Sequence, residues 1–461
     1  MRNQNIARCW SAAALAVLVA VAQPARAQSV IETRAEQASA AGGEVTSEWR
    51  SRGLKMLADM REELRKNYYD TTFGGRDMLG ANYTASVEAV RNAPTRVRMF
   101  GAIASYMVAL EDSHTRFLPP ALAAKIEYGF VIRFVGDSAY VWTVKAGSDA
   151  AQKGVRPGDL VLGWDTFTMS RESWPTIRYV YYGLSPRGGI NLRLRSPLGV
   201  ERTVLAVAKV TVQEQTIDLG DQTSINRWIQ RMDDEPQDTL HLTQSVGSET
   251  GVLYWRMRSF EYADDPTIDG LMKRAKEHQA LVLDLRGNEG GSIDLLLYLI
   301  GKFTDRPLTV GRVNQRRHIG KETELIARPT DRSPYRGRLV ILMDSESGSS
   351  SEILARTLQL TGRAAVVGDR SAGQVMGARI YPHRVGGSRQ VEYAAYISVT
   401  ELVMPDGGRL EKSGVIPDHR VLLTGADIAA RRDPQLAKAL ELLGITIGAD
   451  EAGQISHPRK R

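Results

Sequence analysis

The stretch ALVLDLRGNEGGSIDLLLYLI, residues 280–300, decides the fold class. Its first six residues are almost all apolar and predict a buried strand, its glycine-rich centre predicts a tight turn, and residues 292–300 predict a helix. The same elements recur around it, with apolar strands predicted at 251–257, 338–343 and 364–367 and a helix at 350–360. This alternation is typical of a layered α/β domain with a largely parallel sheet.

Two further modules precede this α/β region. Apolar residues at steps of three and four predict mainly helices across residues 54–109, whereas residues 126–212 carry short β-rich runs broken by Gly, Pro and Asp. Within the β-rich part, residues 147–159 read GSDAAQKGVRPGD, which resembles the centre of a PDZ domain. That resemblance implies a peptide-binding loop at Tyr128, Gly129 and Phe130, where an extended ligand would join the edge of the sheet.

The N-terminal segment predicts export. Two arginines precede an apolar run that ends at Ala-Arg-Ala, residues 25–27, which is the pattern of a cleaved signal peptide over residues 1–27. The alternative is a membrane anchor, but the run is about half of the roughly 20 residues that span a bilayer, and no later stretch is apolar enough to span one. The only cysteine, Cys9, lies in this segment, so the exported chain would hold neither a disulfide nor a thiol nucleophile. We therefore expect a periplasmic or secreted protein.

The composition excludes other classes of protein. Hydrophobic residues at 43% and charged residues at 25% are ordinary for a globular chain, and 461 residues are enough for two or three domains. The formal net charge of +7 falls by three without residues 1–27, which hold three arginines and no acidic residue. So small an excess, in scattered clusters, does not indicate a nucleic-acid partner. The histidines show no metal-ligand spacing, so we expect no metal and no other cofactor.

Two predicted strand-to-helix turns could carry chemistry, because α/β proteins bind ligands at the carboxyl ends of their strands. Residues 284–291, DLRGNEGG, end in a glycine pair that lets backbone N–H groups approach a ligand, as an oxyanion hole requires. Residues 343–352, MDSESGSSSE, place serines at a helix start, where unpaired N–H groups stabilise an anion. By itself, the first segment is more typical of a plain tight turn and the second of a helix cap.

Together these motifs resemble those of the carboxy-terminal processing peptidases, also called tail-specific proteases. The resemblance is carried by DLRGNEGG, by SGSSSEI at 347–353, by GDRSAG at 368–373, and by PDG at 405–407 with GVIPD at 414–418. It spans nearly the whole chain after residue 27 and implies a crotonase-like peptidase core of the ClpP/crotonase superfold. The implied divisions are a helical N-terminal module at 28–125, a PDZ-like domain at 126–212, the α/β peptidase core at 213–446 and a C-terminal tail at 447–461.

Carried over onto this sequence, the family's nucleophile falls on Ser349. Its oxyanion donors fall on the backbone N–H groups of Ser350 and Gly291, with Gly290 as the close alternative. The commonest family pattern activates the serine with a lysine in a Gly-Lys-Gly turn, but this chain has Gln374 at that position. Because a glutamine cannot accept the serine proton, either another base exists or the site is inactive.

The tricorn-type branch of this superfamily offers such a base. It uses a histidine after a serine at the end of the N-terminal helical segment, matched by Ser113 and His114, and a glutamate before the GVIPD stretch, matched by Glu411. The implied tetrad is Ser349, His114, Ser113 and Glu411, with the last two orienting the imidazole. The alternatives are that residues 112–115 form a plain turn and that Glu411 belongs to a surface pair with Lys412.

The sequence thus predicts an exported serine endopeptidase that cleaves unstructured polypeptide or C-terminal segments through an acyl-enzyme. Two alternatives stay open. One is a catalytically inactive peptide-binding or scaffold protein that binds peptides through its PDZ-like domain. The other is an ester hydrolase on the same core, which would use Ser349 on small substrates. The sequence does not define the oligomeric state.

Overall fold

A computed structural model gives the fold of residues 45–120, 124–184, 187–212, 241–248, 251–260, 265–316, 323–387 and 390–458. The predicted signal peptide at 1–27 lies outside the described residues. Within the ranges above, no helix combines the length and the apolar character needed to cross a membrane. The predicted α/β class is confirmed.

Within residues 45–120, three α-helices and a short strand form the N-terminal module, with a 3₁₀ turn at Phe73–Gly75 after the first helix. They are α1 (Ser47–Asn67), α2 (Ala81–Arg91), α3 (Arg96–Val108) and β1 (Arg116–Leu118). Thr46 and Thr95 cap α1 and α3, each accepting a backbone N–H three residues further on. Apolar residues at helical spacing, such as Met56, Met60 and Leu64 of α1, are fully buried and hold the helices together.

Residues 124–212 form a β-rich unit. Its elements are β2 (Ala124–Glu127), β3 (Phe130–Val135), β4 (Ser138–Val144), α4 (Asp149–Gln152), β5 (Leu160–Trp164), β6 (Phe167–Thr168), α5 (Trp174–Arg178) with the π-helical turn Tyr179–Leu184, β7 (Gly189–Arg195), β8 (Glu201–Val207) and β9 (Lys209–Val212). Strands β3, β4, β5, β7 and β8 form one antiparallel sheet in that order, and β2 pairs with β9. Fully buried Trp164 packs at its centre against Tyr128, Phe130 and Trp174. The name PDZ-like stays a prediction for this unit.

The remaining elements form the α/β region. They are β10 (His241–Val246), β11 (Val252–Met257), α6 (Asp265–Lys276), β12 (Ala280–Asp284), α7 (Ile293–Gly301), β13 (Leu308–Gln315), β14 (Thr323–Ala327), β15 (Arg338–Met343), α8 (Ser350–Leu360), β16 (Ala365–Gly368), β17 (Gly377–Val385), β18 (Val391–Val403), β19 (His419–Arg420), α9 (Gly425–Ala430), α10 (Pro434–Leu442) and α11 (Ala449–Ser456). Strands β10, β11, β12, β15, β16 and β19 form one sheet in that order, parallel except for the pair β10 and β11.

Both faces of this sheet are covered, which explains why its strands are continuously apolar. In β11, Leu253 and Trp255 point into the core formed with α6, α7 and α8, whereas Val252 and Tyr254 point into the core formed with α10 and α11. Successive side chains of a strand point to opposite faces, so a strand with helices on both sides needs apolar residues throughout.

A second sheet joins the N-terminal module to the α/β region. Strands β1, β18, β13 and β14 pair antiparallel in that order, and β17 pairs with β18. Arg116 of β1 lies opposite Tyr396 of β18. Because residues 112–115 immediately precede β1, this pairing fixes the predicted histidine turn beside the α/β region.

The C-terminal segment differs from its prediction. Helix α10 has Asp433 as its N-cap and Pro434 in its first turn. The helix α11 then lies inside residues 447–461, where a tail is expected from the sequence. Its Ala452 and Ile455 share one helix face and are buried in the same core as α10, so this segment is part of the packed structure.

Candidate active site

Ser349 occupies the sharp turn between β15 and α8. It is the N-cap of α8 with φ 50° and ψ −117°, and a left-handed φ at a non-glycine residue costs about 1–3 kcal/mol. Its N–H donates to the carbonyl oxygen of Gln374 at 3.0 Å and to Oε2 of Glu352 at 3.1 Å. Ser349 stays partly exposed, whereas Ser350 and Ser351 are buried. The turn therefore fixes the backbone of the one serine of this trio that solvent reaches.

Glu352 ties this turn to the segment that follows β16. Its fully buried carboxylate accepts the N–H groups of Ser349, Gly373 and Gln374 at 3.1, 2.7 and 2.9 Å, and the hydroxyl of Ser371 at 2.5 Å. Burial raises the pKa of Glu352 to about 7, and these hydrogen bonds oppose the rise. Glu352 is not among the residues predicted from the sequence, although a serine followed three positions later by a glutamate is the pattern of a capping box.

The two glycines predicted as oxyanion donors differ in their hydrogen bonds. The N–H of Gly290 donates to Oδ1 of Asn288 at 2.9 Å, so that amide is occupied. The N–H groups of Gly291 and Ser350 have no partner in the part of the chain that the structure describes, and the carbonyl oxygen of Gly291 accepts the Ser350 hydroxyl at 2.9 Å. A Cβ on Gly290 would lie 2.6 Å from Cβ of Ser349, so only glycine lets the two turns approach this closely.

Two neighbouring serines fasten these turns to each other. The hydroxyl of Ser347 donates to the carbonyl oxygen of Leu285, and that of Ser351 to the carbonyl oxygen of Asn288, both at 2.9 Å. Both serine side chains are buried. Their hydroxyl groups are thus engaged with backbone.

His114 lies in a turn that Asp112 holds in place. One carboxylate oxygen of Asp112 accepts the N–H groups of His114 and Thr115 at 2.9 and 2.6 Å, and the hydroxyl of Ser398 in β18 at 2.8 Å. The His114 ring also packs against the ring of Tyr396, with centroids 5.7 Å apart. The turn that the sequence allows at residues 112–115 is therefore present, and it positions the imidazole.

Ser113, His114 and Glu411 form one hydrogen-bonded group. Oγ of Ser113 lies 2.6 Å from Nδ1 of His114 and donates to Oε2 of Glu411 at 3.1 Å, while Oε1 of Glu411 accepts the Ser113 N–H at 2.8 Å. Since the Ser113 hydroxyl hydrogen points to the carboxylate, its oxygen accepts Nδ1–H, and Nε2 is the ring nitrogen with the free lone pair. Lys412 contacts Glu111 at 3.8 Å, so the surface pair that the sequence allows with Glu411 does not form.

Burial sets the charge state of this group. It lowers the pKa of His114 to about 4, Arg116 lowers it further and Asp112 opposes the shift, so the imidazole is neutral at pH 7. Burial also raises the pKa of Glu411, against the hydrogen bonds from Ser113 and Val375. A neutral histidine with an unprotonated Nε2 has the protonation state of a general base.

Two consecutive residues connect the serine turn to the histidine group. Gln374 donates its N–H to Glu352 and accepts the N–H of Ser349, and Val375 donates its N–H to Oε2 of Glu411 at 3.1 Å. The Gln374 side chain, at the position of the family's usual lysine, is exposed. Over the described ranges, no hydrogen bond joins Ser349 directly to His114. The four residues of the predicted tetrad thus gather around one short backbone segment.

The residues predicted for peptide binding in the β-rich unit lie away from solvent. Tyr128 and Phe130 are 1% and 3% exposed, and the Tyr128 hydroxyl donates to the carbonyl oxygen of Arg187 at 3.0 Å. The carbonyl oxygen of Gly129 accepts the Lys145 N–H at 2.8 Å. A peptide at this loop would therefore meet backbone groups rather than these two aromatic side chains.

Strand β3 of the same unit contacts the active-site turns. Arg133 pairs with Asp344 at 3.4 Å, and the hydroxyl of Ser345 donates to the carbonyl oxygen of Phe134 at 2.6 Å. The β-rich unit is therefore seated against the loop that carries Ser349. As far as the structure describes the chain, no three His, Cys, Asp or Glu side chains form a group that could hold a metal ion.

The chain is similar to known peptidases. Residues 251–421 match the family model of peptidase family S41. The chain is 24% identical to a carboxyl-terminal-processing protease of Synechocystis sp., over 84% of this chain and 86% of that protein. It is 25% identical to the chloroplastic carboxyl-terminal-processing peptidase 2 of Arabidopsis thaliana, over 76% of this chain and 65% of that protein. The structure of mature CPAF complexed with lactacystin shares the fold, with a TM-score of 0.64, 16% identity, and coverage of 88% of this chain and 99% of that one. Residues 251–421 thus carry the features of peptidase family S41, and the chain is a serine-type peptidase, a hydrolase.

Proposed function

We propose that this protein is an exported serine endopeptidase of the tail-specific, processing type, which cleaves unstructured polypeptide through an acyl-enzyme on Ser349. The observation that carries the proposal is the hydrogen-bonded path from Ser349 through Gln374 and Val375 to Glu411, Ser113 and His114. It gives the serine a candidate base where the family's lysine is absent. In this proposal, the base is of the tricorn type.

In the first step, Oγ of Ser349 attacks a substrate carbonyl carbon while Nε2 of His114 takes the hydroxyl proton. The resulting imidazolium keeps its Nδ1–H bond to Ser113, and the negative charge of Glu411 lies one hydrogen bond further away. Both groups favour the charged ring that forms in the transition state. Glu411 and Ser113 therefore act as positioning and stabilising groups, and His114 makes the proton transfer.

The oxygen of the tetrahedral intermediate would be held by the N–H groups of Gly291 and Ser350, which belong to the two turns that meet at Gly290. As the C–N bond breaks, His114 returns its proton to the leaving amine. Water then attacks the acyl-enzyme ester, His114 accepts a proton from that water, and Ser349 regains its proton as the new carboxyl end leaves. Gly290 is a less suitable donor because its amide is bonded to Asn288.

The other domains would serve delivery of the substrate. The PDZ-like unit at 126–212 would admit or select unstructured chain ends, and the α/β core at 213–446 would be crotonase-like. Export rests on the signal-peptide pattern of residues 1–27. The close seating of β3 against the loop around Asp344 and Ser345 supports a route from this unit to the active site.

Cleavage of an unfolded protein reporter by purified residues 28–461 tests the proposal. We expect Ser349→Ala to lower kcat/KM at least about a thousandfold and His114→Ala about a hundred- to ten-thousandfold. Ser333→Ala is the matched control, because Ser333 is exposed and its backbone N–H, which alanine keeps, donates to Asp331. Folding of each variant is checked by circular dichroism.

If the wild type leaves unfolded reporters intact while the chain ends are varied, the proposed cleavage fails, and peptide binding by the PDZ-like unit becomes the better account. If Ser349→Ala loses activity but His114→Ala does not, Ser349 is the nucleophile and the assignment of the base is wrong.

A further inference from the structure

Arg116 carries a positive charge close to the candidate base. Its side chain is partly buried, two residues after His114 in β1. Nε and Nη2 donate to the carbonyl oxygens of His114 and Ser113 at 3.4 and 3.3 Å, and the guanidinium lies over the ring of Tyr396 at 5.4 Å. Among the described residues, no aspartate or glutamate lies within ion-pair distance of it.

These neutral contacts compensate the charge only weakly. Both hydrogen bonds are longer than the usual range of about 2.7–3.2 Å, and Nη1 donates to no protein group in the described ranges. Burial lowers the pKa of Arg116, which means that its surroundings disfavour the charged form, although an arginine stays protonated at neutral pH. Asp112 favours the charged form of Arg116, but it forms no ion pair with it, and its Oδ1 accepts the three hydrogen bonds of the histidine turn.

A second guanidinium acts on Arg116 from nearby. Arg178, at the end of α5, lowers the pKa of Arg116 by like-charge repulsion. Arg178 lies 3.7 Å from Glu289, whose side chain is 38% exposed, so this ion pair is long and partly solvated. Glu289 directly precedes the glycine pair of the oxyanion turn. One arginine therefore borders the site on the side of the base and the other on the side of the oxyanion turn.

We propose that Arg116, supported by Arg178, binds a carboxylate of the substrate next to the scissile peptide bond. This inference rests on the proposed peptidase function and adds the class of substrate to it. A guanidinium presents a planar fork of donors that matches a carboxylate, and bound substrate would supply an ion-pair partner that Arg116 does not have among the described residues. The carboxylate is either the chain end of a polypeptide cut close to its C terminus or the side chain of an aspartate or glutamate near the cleavage point.

The test compares peptides that share one cleavage sequence, mapped from the reporter digest. One pair differs only in a free C-terminal carboxylate against a C-terminal amide, and the other only in glutamate against glutamine beside the cleaved bond. Values of kcat/KM are measured for the wild type, Arg116→Gln, Arg116→Lys and Arg178→Gln. Arg195→Gln is the matched control, because Arg195 forms an exposed ion pair with Glu201 in the hairpin of β7 and β8.

We expect the wild type to prefer the carboxylate member of one pair about ten- to a hundredfold. Arg116→Gln brings that ratio close to one, Arg116→Lys retains part of it, and Arg195→Gln leaves it unchanged. The pair that shows the preference identifies the source of the carboxylate. If Arg116→Gln fails to fold, two other results test the inference. These are the wild-type ratio and the severalfold fall of that ratio that we expect in Arg178→Gln.

Wild-type ratios near one in both pairs, or a ratio that survives in both Arg116→Gln and Arg178→Gln, would overturn the inference while the peptidase function stands. Failure of the proposed function looks different. In that case, the wild type would cut no member of either pair faster than Ser349→Ala does, and both proposals would fall together.

Discussion

Two buried glutamates hold the two halves of the candidate active site, and they do so differently. Glu352, on the side of the nucleophile, accepts four hydrogen bonds, three of them from backbone N–H groups. Glu411, on the side of the base, accepts two of its three from Ser113, which touches the imidazole. They accept the successive N–H groups of Gln374 and Val375, so one short segment links the two glutamates. We therefore expect Glu352 to act as a structural clamp that stabilises the fold, and Glu411 to contribute mainly to catalysis.

The largest effect is expected from Glu352→Gln. The side-chain amide has one acceptor oxygen and would turn its NH2 group toward buried N–H donors, and each buried donor left unsatisfied costs about 1–3 kcal/mol. At pH 5 the raised pKa keeps Glu352 protonated, and both oxygens of a protonated carboxyl group can still accept a hydrogen bond, which an amide NH2 group cannot. We expect the free energy of unfolding at pH 5 to fall by about 2–4 kcal/mol in Glu352→Gln, measured by chemical denaturation. Glu441→Gln, on the exposed face of α10, is the control and should change stability by less than about 0.5 kcal/mol. Equal stability of the two variants would contradict the clamp.

The protonation of Glu352 gives this clamp a pH dependence. Because burial raises its pKa to about 7, the folded state holds the proton more tightly than the unfolded chain does between about pH 4.5 and 7. The contribution of Glu352 to stability is therefore complete below that window and declines as the pH rises through it, by about 3 kcal/mol in total.

The difference in unfolding free energy between wild type and Glu352→Gln isolates the pH-dependent contribution of Glu352 to stability. His114, whose pKa is lowered, produces the opposite trend in both proteins and cancels in the difference. We expect the difference to narrow from pH 4.5 to pH 7. A difference that widens with pH would mean that the ionised form of Glu352 is the favoured one.

Glu411→Gln is expected to act on chemistry more than on stability. Without the negative charge, the imidazolium that forms during attack loses its stabilisation, and we expect kcat/KM to fall about ten- to a hundredfold while most of the fold stability remains. Measuring both quantities on the same preparations separates this residue from Glu352. A variant that loses stability in proportion to its activity would make Glu411 a second clamp.

The pH profile of kcat/KM tests whether His114 and Glu411 control activity. An ordinary histidine base would titrate near pH 6.5, but the pKa of His114 is lowered to about 4. We expect the acidic limb of the profile to lie below pH 6.5 in the wild type. In Glu411→Gln the carboxyl group with the raised pKa is absent, so we expect the limb to lie at a lower pH than in the wild type. A limb at pH 6.5 or above in both proteins would show that another group controls activity.

Some parts of this molecule could be predicted from its sequence, and others could not. The α/β sheet was predictable because strands covered on both faces, such as β11 and β12, are continuously apolar. Helix α11 was not, because its buried face consists of small and isolated apolar residues such as Ala452 and Ile455. Spacing along the chain could not place the turn of His114 beside the α/β region, because the long-range pairing of β1 with β18 fixes that turn there. Only the motif resemblance pointed to His114 and Ser349 as a pair.

The smallest effect is expected at the residue that raises the most doubt in the sequence, Gln374. Its exposed side chain makes no contact that the site uses, whereas its N–H and carbonyl oxygen link Glu352 and Ser349. Gln374→Ala keeps both backbone groups, so we expect kcat/KM within about threefold of wild type and stability within about 0.5 kcal/mol. Gln374→Pro, which removes the N–H that Glu352 accepts, should lower activity far more. A large loss in Gln374→Ala would instead assign the glutamine side chain a part in the reaction, and the two glutamates would no longer suffice to explain how the serine and the histidine are aligned.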